Sequence, residues 1–340
     1  MSNILDVVVN ISTAGTAGYL GFGIPLILVS KATKAVPYTE CGSANEVATA
    51  VGDTDKTSDS YKIAKLIFMQ DHAPQTVAVY HSTETADKAI ESVEEKGWRQ
   101  LIAVIGEGDT TTIKAIADVV EALDNKLYFV TGSEISGLGA LNGLDRTVAF
   151  YHNLKDEDGD LKYPYAVAAL VGETAGRPAG SFTYKNLILK GIEPLDLTSA
   201  EIADIHTAGL MTFVTKAGDN VTTEGKVTSG EYIDIVDAKD YIISQIEYRV
   251  QKLLNNASKL PYTNAGIAAI EAEVVGVLND AYANGIIDTK EGVPDYSVNF
   301  KTREQMSATE RANRIYSGGN FSFTLAGAIH TVTINGELVI

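Results

Sequence analysis

The sequence predicts an α/β plus α+β subunit with two domains, a mixed sheet, and extended strand-like arms at both ends. Three observations lead there. From about residue 60 to 185, short apolar runs alternate with helical patterns, which implies a largely parallel sheet with helices packed on it. Beyond about 186 the pattern turns to capping boxes, short strands and two long helices. Both ends alternate apolar and polar residues with a period of two, the mark of a strand.

At the N-terminus Leu5, Val7, Val9 and Ile11 point one way, and Asp6, Val8 and Asn10 the other, until Ser12-Thr13-Ala14-Gly15 signals a loop. No hairpin partner follows. The strand therefore pairs at a distance, with its own domain or with another molecule. The apolar stretch 17–29 reads as a buried strand pair or an interface segment. A helix is expected over 61–69 with Ile63, Leu66 and Ile67 on one face, then a strand at 77–80. The next helix, 83–96, sets Glu84 four residues before Lys88 and stops at Gly97. A buried strand at 101–105 precedes a helix at 111–123 that turns Ile113, Ile116, Val119, Val120 and Leu123 inward. Strands at 127–130 and 147–151 and a short helix at 163–171 complete the alternation.

In the second half, Thr198 and Glu201 form a capping box for a helix to about 206. Short strands fall within 211–216 and 221–235, with turns at Gly218-Asp219 and Gly225. Ile242, Ile243, Ile246, Val250, Leu253 and Leu254 recur at helical spacing over 240–255. Past Pro261, Ile267, Ile270, Val274, Val277, Leu278 and Ala281 share a second helical face that Gly285 ends. A strand at 297–301 precedes a capping box, Ser307 and Glu310, for a helix to about 316. After Gly318-Gly319, Phe321, Phe323 and Leu325 alternate with polar residues, as do Val332 and Ile334. The chain closes on Leu338-Val339-Ile340, an apolar β-prone tail that invites aggregation unless paired. The expected division is an arm at 1–22, an α/β domain at 23–185, an α+β domain at 186–316 and a second arm at 317–340.

Charge excludes some functions. Twenty-seven Lys and Arg against 44 Asp and Glu leave a net charge of −17, which opposes a broad grip on nucleic acid or docking on an anionic membrane. One cysteine, Cys41, excludes an internal disulfide framework and a Cys-rich zinc site. No basic residue precedes Lys31, so a secretory signal is not expected, and the stretch 17–29 is short of the ~20 residues that span a bilayer. The expectation is a soluble protein made in the cytoplasm.

A search for catalytic chemistry finds little. His72, His81, His152, His206 and His330 stand apart from any metal-binding spacing. Ser136 lies in a Gly-rich stretch, Gly132 to Gly139, but lacks the glycine two positions earlier that a nucleophile elbow needs. Gly137 and Gly139 start a dinucleotide fingerprint whose third position is Asn142. Gly106-Glu107-Gly108-Asp109 lacks the Lys-Ser/Thr of a P-loop. Asp156, Asp158 and Asp160 fail the calcium-loop pattern, with Leu161 and Val167 at the positions that need Gly and Glu, and read as an exposed acidic turn. No catalytic, cofactor or metal residues are assigned. The alternatives left open are a hydrolase-like enzyme using Ser136, or another self-assembling shell or tube protein. Sixteen tyrosines against one tryptophan suit interfaces and β-rich cores alike.

Against this background several segments resemble the contractile tail sheath proteins of phages and phage-tail-like bacteriocins, the short clostridial type in particular. They are Tyr163-Pro164-Tyr165-Ala166-Val167-Ala168-Ala169-Leu170-Val171 after an acidic turn, and Ala175-Gly176-Arg177-Pro178, similar to the family's link into its C-terminal domain. Lys190-Gly191-Ile192-Glu193-Pro194 follows, and 231–240 resembles the family's strand before its long helix. Ile286-Ile287-Asp288 resembles the turn into a late strand, and 306–317 with the β tail matches the family's end.

The resemblance implies stacked hexameric rings around a tail tube, with baseplate and tail terminator proteins as further partners. It implies arms that lend strands to neighbouring subunits, here Leu5, Val7, Val9 and Ile11 at one end and Val332, Ile334, Leu338 and Ile340 at the other. Linkers such as 12–16 and 317–320 would let near-rigid subunits move. The helix before the C-terminal arm would face the tube, carrying Arg303, Ser307, Glu310, Arg311 and Arg314. The cations would meet acidic residues on the tube; the alternative is a solvated helix with local ion pairs to Glu304 and Glu310. The implied place is a tail particle assembled in the bacterial cytoplasm, and the implied device is a metastable extended sheath that contracts without nucleotide or cofactor.

Overall fold

The computed structural model describes residues 22–106 and 108–330. Its first half is a six-stranded mixed sheet of β1 (Ile24–Val29), β2 (Val36–Cys41), β3 (Val77–His81), β4 (Trp98–Val104), β5 (Leu127–Gly132) and β6 (Thr147–Tyr151). The order is β2-β3-β1-β4-β5-β6; every pairing is parallel except β2 with β3. β1 is a central strand, so the apolar stretch 17–29 continues from residue 24 as a buried strand rather than a strand pair.

The five parallel strands bury residues on both faces, which explains their apolar runs, whereas the edge strand β2 leaves Pro37 and Glu40 exposed. Ile27, Val79, Ile102, Phe129, Val148 and Phe150 face one layer, formed by α1 (Ala44–Val51), α2 (Asp59–Phe68) and α6 (Val167–Ala175). Leu26, Leu28, Leu101, Tyr128, Val130 and Ala149 face the other, formed by α3 (Ala86–Glu91) and α4 (Thr110–Glu121). A single turn, α5 (Ile135–Leu138), follows β5.

Two helices differ from expectation. The one expected at 83–96 is cut to α3, and residues 92–96 are turns leading into β4. The one expected at 163–171 starts four residues later, because Val167 N–H is taken by Thr131 Oγ1 at 3.0 Å. It then runs on to Ala175 with every residue from 167 to 174 buried. Gly172 and Gly176 let it lie against α2: a Cβ on Gly172 would sit 2.4 Å from Ile67 O, and one on Gly176 2.2 Å from His72 O.

After the sheet come α7 (Ser199–Thr207), with both hydrogen bonds of the Thr198–Glu201 capping box, and the hairpin β7 (Phe213–Lys216) and β8 (Asp219–Thr222). The hairpin turn is Ala217-Gly218, one residue earlier than expected; both have positive φ, 52° and 95°, as a tight hairpin turn requires. Leu187, Leu189, Ile192, Met211, Phe213 and Val227 pack into the first core, and Leu195, Ile205 and Leu210 into the second. The chain from 186 to 232 thus completes the α/β body.

A third core begins at Ala238. It lies between α8 (Ile233–Asn256), α9 (Asn264–Ala283) and a hairpin of β11 (Tyr296–Phe300) and β12 (Gly319–Phe323); a two-residue pair, β9 (Thr289–Lys290) and β10 (Val293–Pro294), precedes β11. The expected strand at 231–240 is overturned: residues 233–240 are the first turns of α8. Asp237 and Asp240 explain it. Three residues apart, they share a helix face, whereas a strand would send them to opposite sides.

Candidate functional site

Short elements at the open end of the third core hold the expected tube-facing residues. The 3₁₀ turn at Arg303–Gln305 is pinned to the start of α9: Arg303 N–H donates to Asn264 Oδ1 at 2.7 Å, and Asn264 Nδ2 donates to Glu304 at 3.0 Å. One residue later Ser307 caps α10 (Ala308–Asn313). Ser307 Oγ accepts from Glu310 N–H at 3.1 Å, and Glu310 accepts from Ser307 N–H at 3.0 Å, the reciprocal box expected from sequence. Ser307 and Ser317 hydroxyls donate to Glu310 as well and hold its carboxyl down at about 2. Arg314 ends the helix at φ +59°, and Tyr316 folds back to stack on Phe300 at 5.9 Å while donating to Lys301 O at 2.9 Å.

The charges have a consequence for the local-ion-pair alternative. Glu304 is engaged by Asn264 and Glu310 by the two serines. Arg311 turns to backbone oxygens, reaching Arg303 O at 3.1 Å and Met306 O. Among the described residues, none of Arg303, Arg311 and Arg314 makes an ion pair. Arg303 and Arg314 are exposed, beside an Ile315 that is 56% exposed.

Among the described residues the adjoining hairpin is a sheet of two strands, half-finished. Tyr296, Val298, Phe300, Phe321 and Phe323 face α8 and α9, and Ser297, Asn299 and Ser322 face outward. Thr324 N–H bonds Asp295 O and Lys301 N–H bonds Gly318 O, at 2.9 and 3.0 Å, which sets the phase of the ladder. By antiparallel alternation, the N–H and C=O of Tyr296, Val298 and Phe300 point away from β12, and those of Phe321 and Phe323 away from β11. Gly319–Phe323, expected within the C-terminal arm, is thus paired inside the chain. The arm residues Leu5, Val7, Val9, Ile11, Val332, Ile334, Leu338 and Ile340 lie outside the described residues.

Sequence reasoning missed the joint between this domain and the α/β body. Arg99 on β4 is 1% exposed. Its guanidinium donates to Asp240 Oδ2 at 2.9 Å, to Asn125 O at 2.9 Å and to Asp237. Arg146 reaches Asp240 Oδ1 at 3.1 Å, Tyr184 donates to Asp237 Oδ2 at 2.7 Å, and the Phe22 ring lies 4.1 Å from Arg99. Burial alone would lower the Arg99 pKa; the charges of Asp237 and Asp240 overcome it and raise it. Nearby, burial brings Lys126 down to about 7, its ammonium donating to the Lys96 and Trp98 carbonyls. Two aspartates inside an apolar helical face were the available signal, since charges are seldom buried unpaired.

Ser136 is exposed on α5. A cavity of about 380 Å³ opens at the C-terminal ends of β4 and β5, and its lining includes Thr131, Gly132, Ser133 and Tyr165 but not Ser136. The histidines are engaged elsewhere: His72 with Glu173, His81 with Ser60, His152 with Glu193 O, His206 with Thr223 and His330 with Thr183. Among the described residues, no group of three His, Cys, Asp or Glu is placed to hold a metal ion, and no helix is long and apolar enough to cross a membrane.

Comparison with known proteins concentrates on one kind of structure. Residues 233–338 match the family described as E217 tail sheath protein gp31-like, C-terminal domain, and the match begins where α8 begins. No curated protein sequence matches the chain. A chain in the six-fold symmetrised baseplate of the anti-feeding prophage superposes with a TM-score of 0.74 at 13% identity, over 100% of this chain and 99% of that one. The contracted helical sheath of the same particle gives 0.68 at 14%, over 99% and 98%. A sheath tail protein from Listeria innocua gives 0.61 at 11%, over 90% and 96%. Over residues 233–338 the chain thus resembles the C-terminal domain described for that tail sheath family, and along its length it shares the fold of chains from the contracted sheath and the baseplate of such particles.

Proposed function

We propose that this chain is the structural subunit of a contractile tail sheath, stacked in hexameric rings around a tail tube, and that it works without catalysis or cofactor. The observation that carries the reading is the likeness of the whole chain to subunits of contracted sheaths, joined to a sheath C-terminal domain beginning at α8. The half-finished hairpin supports its assembly mode. Strand addition to β11 and β12 would satisfy their outward backbone groups, and side-chain alternation would set register. The segments offered for it are the arms, with Leu5, Val7, Val9 and Ile11 from one neighbour and Val332, Ile334, Leu338 and Ile340 from another.

Arg303, Arg311 and Arg314, which make no ion pair among the described residues, support a tube-facing role for the α10 region, with acidic residues of the tube protein as partners. Such a contact is breakable, because exposed charge pairs are weak singly and screened by salt. Contraction would then draw its work from the difference in subunit contacts between two arrangements of near-rigid bodies. Baseplate and terminator proteins would bound the cylinder, in a tail particle assembled in the host cytoplasm.

Negative-stain electron microscopy of the full chain, beside chains lacking residues 1–14 or 326–340, tests the reading. Hollow cylinders from the full chain, lost on either truncation, are the expected outcome. A monodisperse monomer indifferent to both truncations would overturn it. For the tube contact, Arg311→Glu with Arg314→Glu should abolish assembly on tubes; unchanged assembly would remove that face from the interface.

A further inference from the structure

In a chain of net charge −17, one patch gathers three lysines around a single carboxylate, Glu224. Lys185 follows Tyr184, Lys216 ends β7 and Lys226 lies just past β8; all three are half-buried. His206 on α7 feels Lys185, Lys216 and Lys226 together, with Glu224 opposing them. Lys185 Nζ donates to His330 O at 3.2 Å, and Lys226 Nζ lies 4.9 Å from the Tyr232 ring. His330 completes the patch, with Nε2 at 2.9 Å from Thr183 Oγ1 and Nδ1 at 3.5 Å from Glu224. Among the described residues none of the three lysines makes an ion pair within 4 Å. Burial, then Lys185, lowers the Lys216 pKa, so its ammonium is held in a place that disfavours charge.

The turn at 156–160 is the converse. Asp156, Glu157, Asp158 and Asp160 are all exposed, and among the described residues none is ion-paired. The turn is firmly built. Asp156 Oδ1 accepts from the N–H groups of Asp158 and Asp160 at 3.0 Å, Asp156 N–H donates to Asp160 O at 2.9 Å, and Lys155 bridges to Leu161. A preorganised loop loses little freedom on docking.

We propose that the Lys185, Lys216 and Lys226 patch of one copy receives the acidic turn 156–160 of a second copy. Two different surfaces meet, so the contact is head-to-tail and propagates instead of closing a two-fold dimer. The inference rests on the assembly reading above and names a contact of the bodies, separate from the strand arms. Charge complementarity of this sort also fixes register between copies.

The test uses the full chain and Lys216→Glu with Lys226→Glu, each checked for folding by circular dichroism. Self-association is read by sedimentation over a salt series and particle shape by electron microscopy. The double reversal should raise the concentration needed for association about tenfold or more. Adding Glu157→Lys and Asp158→Lys, which leaves the Asp156 carboxylate that holds the turn, should restore it. Should the double reversal misfold, Lys216→Gln should still flatten the salt dependence. Carbodiimide treatment of mixed light and heavy-isotope chains should join a patch lysine of one copy to the turn of another. Cylinders that form as readily with the patch reversed, and without that cross-link, overturn this inference and leave the sheath reading standing. Association that needs the patch but yields no cylinders supports the inference and overturns the sheath reading. A chain that stays monomeric overturns both.

Discussion

The α/β body and the C-terminal domain use similar residues to opposite ends. In the body, β4 runs from Trp98 to Val104 with all but its last residue buried, and helices cover both faces of the sheet. In the C-terminal domain, β11 alternates half-buried and exposed residues, only one face of the hairpin is covered, and its outer edges carry backbone groups aimed away from the chain. The body has spent its apolar surface and its hydrogen bonds on itself. The C-terminal domain leaves part of both open, and among the described residues Arg303, Arg311 and Arg314 make no ion pair, whereas Arg249 pairs with Asp280. Under the sheath function proposed above, a subunit that holds its shape while its neighbours rearrange would use this division, with close packing in one region and open valence in the other.

The largest effect expected is at the joint that makes the two regions one body. Arg99→Ala leaves Asp237 and Asp240 buried with only Arg146 and Tyr184, and should cost about 3–5 kcal/mol. Urea unfolding followed by Trp98, the single tryptophan, measures it. A loss below about 1 kcal/mol would mean that the two regions stand apart and would break the comparison. Next comes the packing of the body. Gly172→Ala forces a methyl to 2.4 Å from Ile67 O and should cost about 1–3 kcal/mol, whereas Ser322→Ala on the open face of the hairpin should stay within about 0.5 kcal/mol. Equal costs would erase the contrast.

Acid should act on the body first. His152 is 1% exposed, and burial lowers its pKa below the unfolded value of about 6.5. The unfolded chain then binds the proton more readily, so stability is full above about 6.5 and is lost as pH falls toward the folded value. His152→Gln should flatten the melting temperature between pH 7 and 5; an unchanged slope would assign the acid sensitivity elsewhere. The most local effect expected is at α10. Ser307→Ala removes one side of the capping box and should cost about 1 kcal/mol, read as faster amide exchange in residues 308–313 with little change in global unfolding.

Much of the fold was legible because it is local. The 3.6-residue period placed α4 and α9, period two and apolar runs placed β3 to β6, and the Thr198–Glu201 and Ser307–Glu310 boxes form as spelled. The failures were places where a distant partner decides. Residues 231–240 are expected as a strand from their resemblance to the sheath family's, yet Arg99, more than 130 positions earlier, needs Asp237 and Asp240 on one helix face. The start of α6 was set by Thr131, and the body continued to 232 because Met211 and Phe213 pack beside β6. At the candidate site, α10 and its charges could be read off directly. That Glu304 and Glu310 would be drawn away by Asn264, Ser307 and Ser317, leaving the arginines unpaired, could not.

By itself the sequence determined the class of the chain, its run of helices and strands, its acidity and the apolar alternation of its ends, because each depends on neighbours within a turn or a strand. Only the tertiary structure decided which charges are neutralised and which stay open. An ion pair depends on groups brought within a few ångströms by the fold, and Arg99 finds two carboxylates that way while Arg303, Arg311 and Arg314, among the described residues, find none.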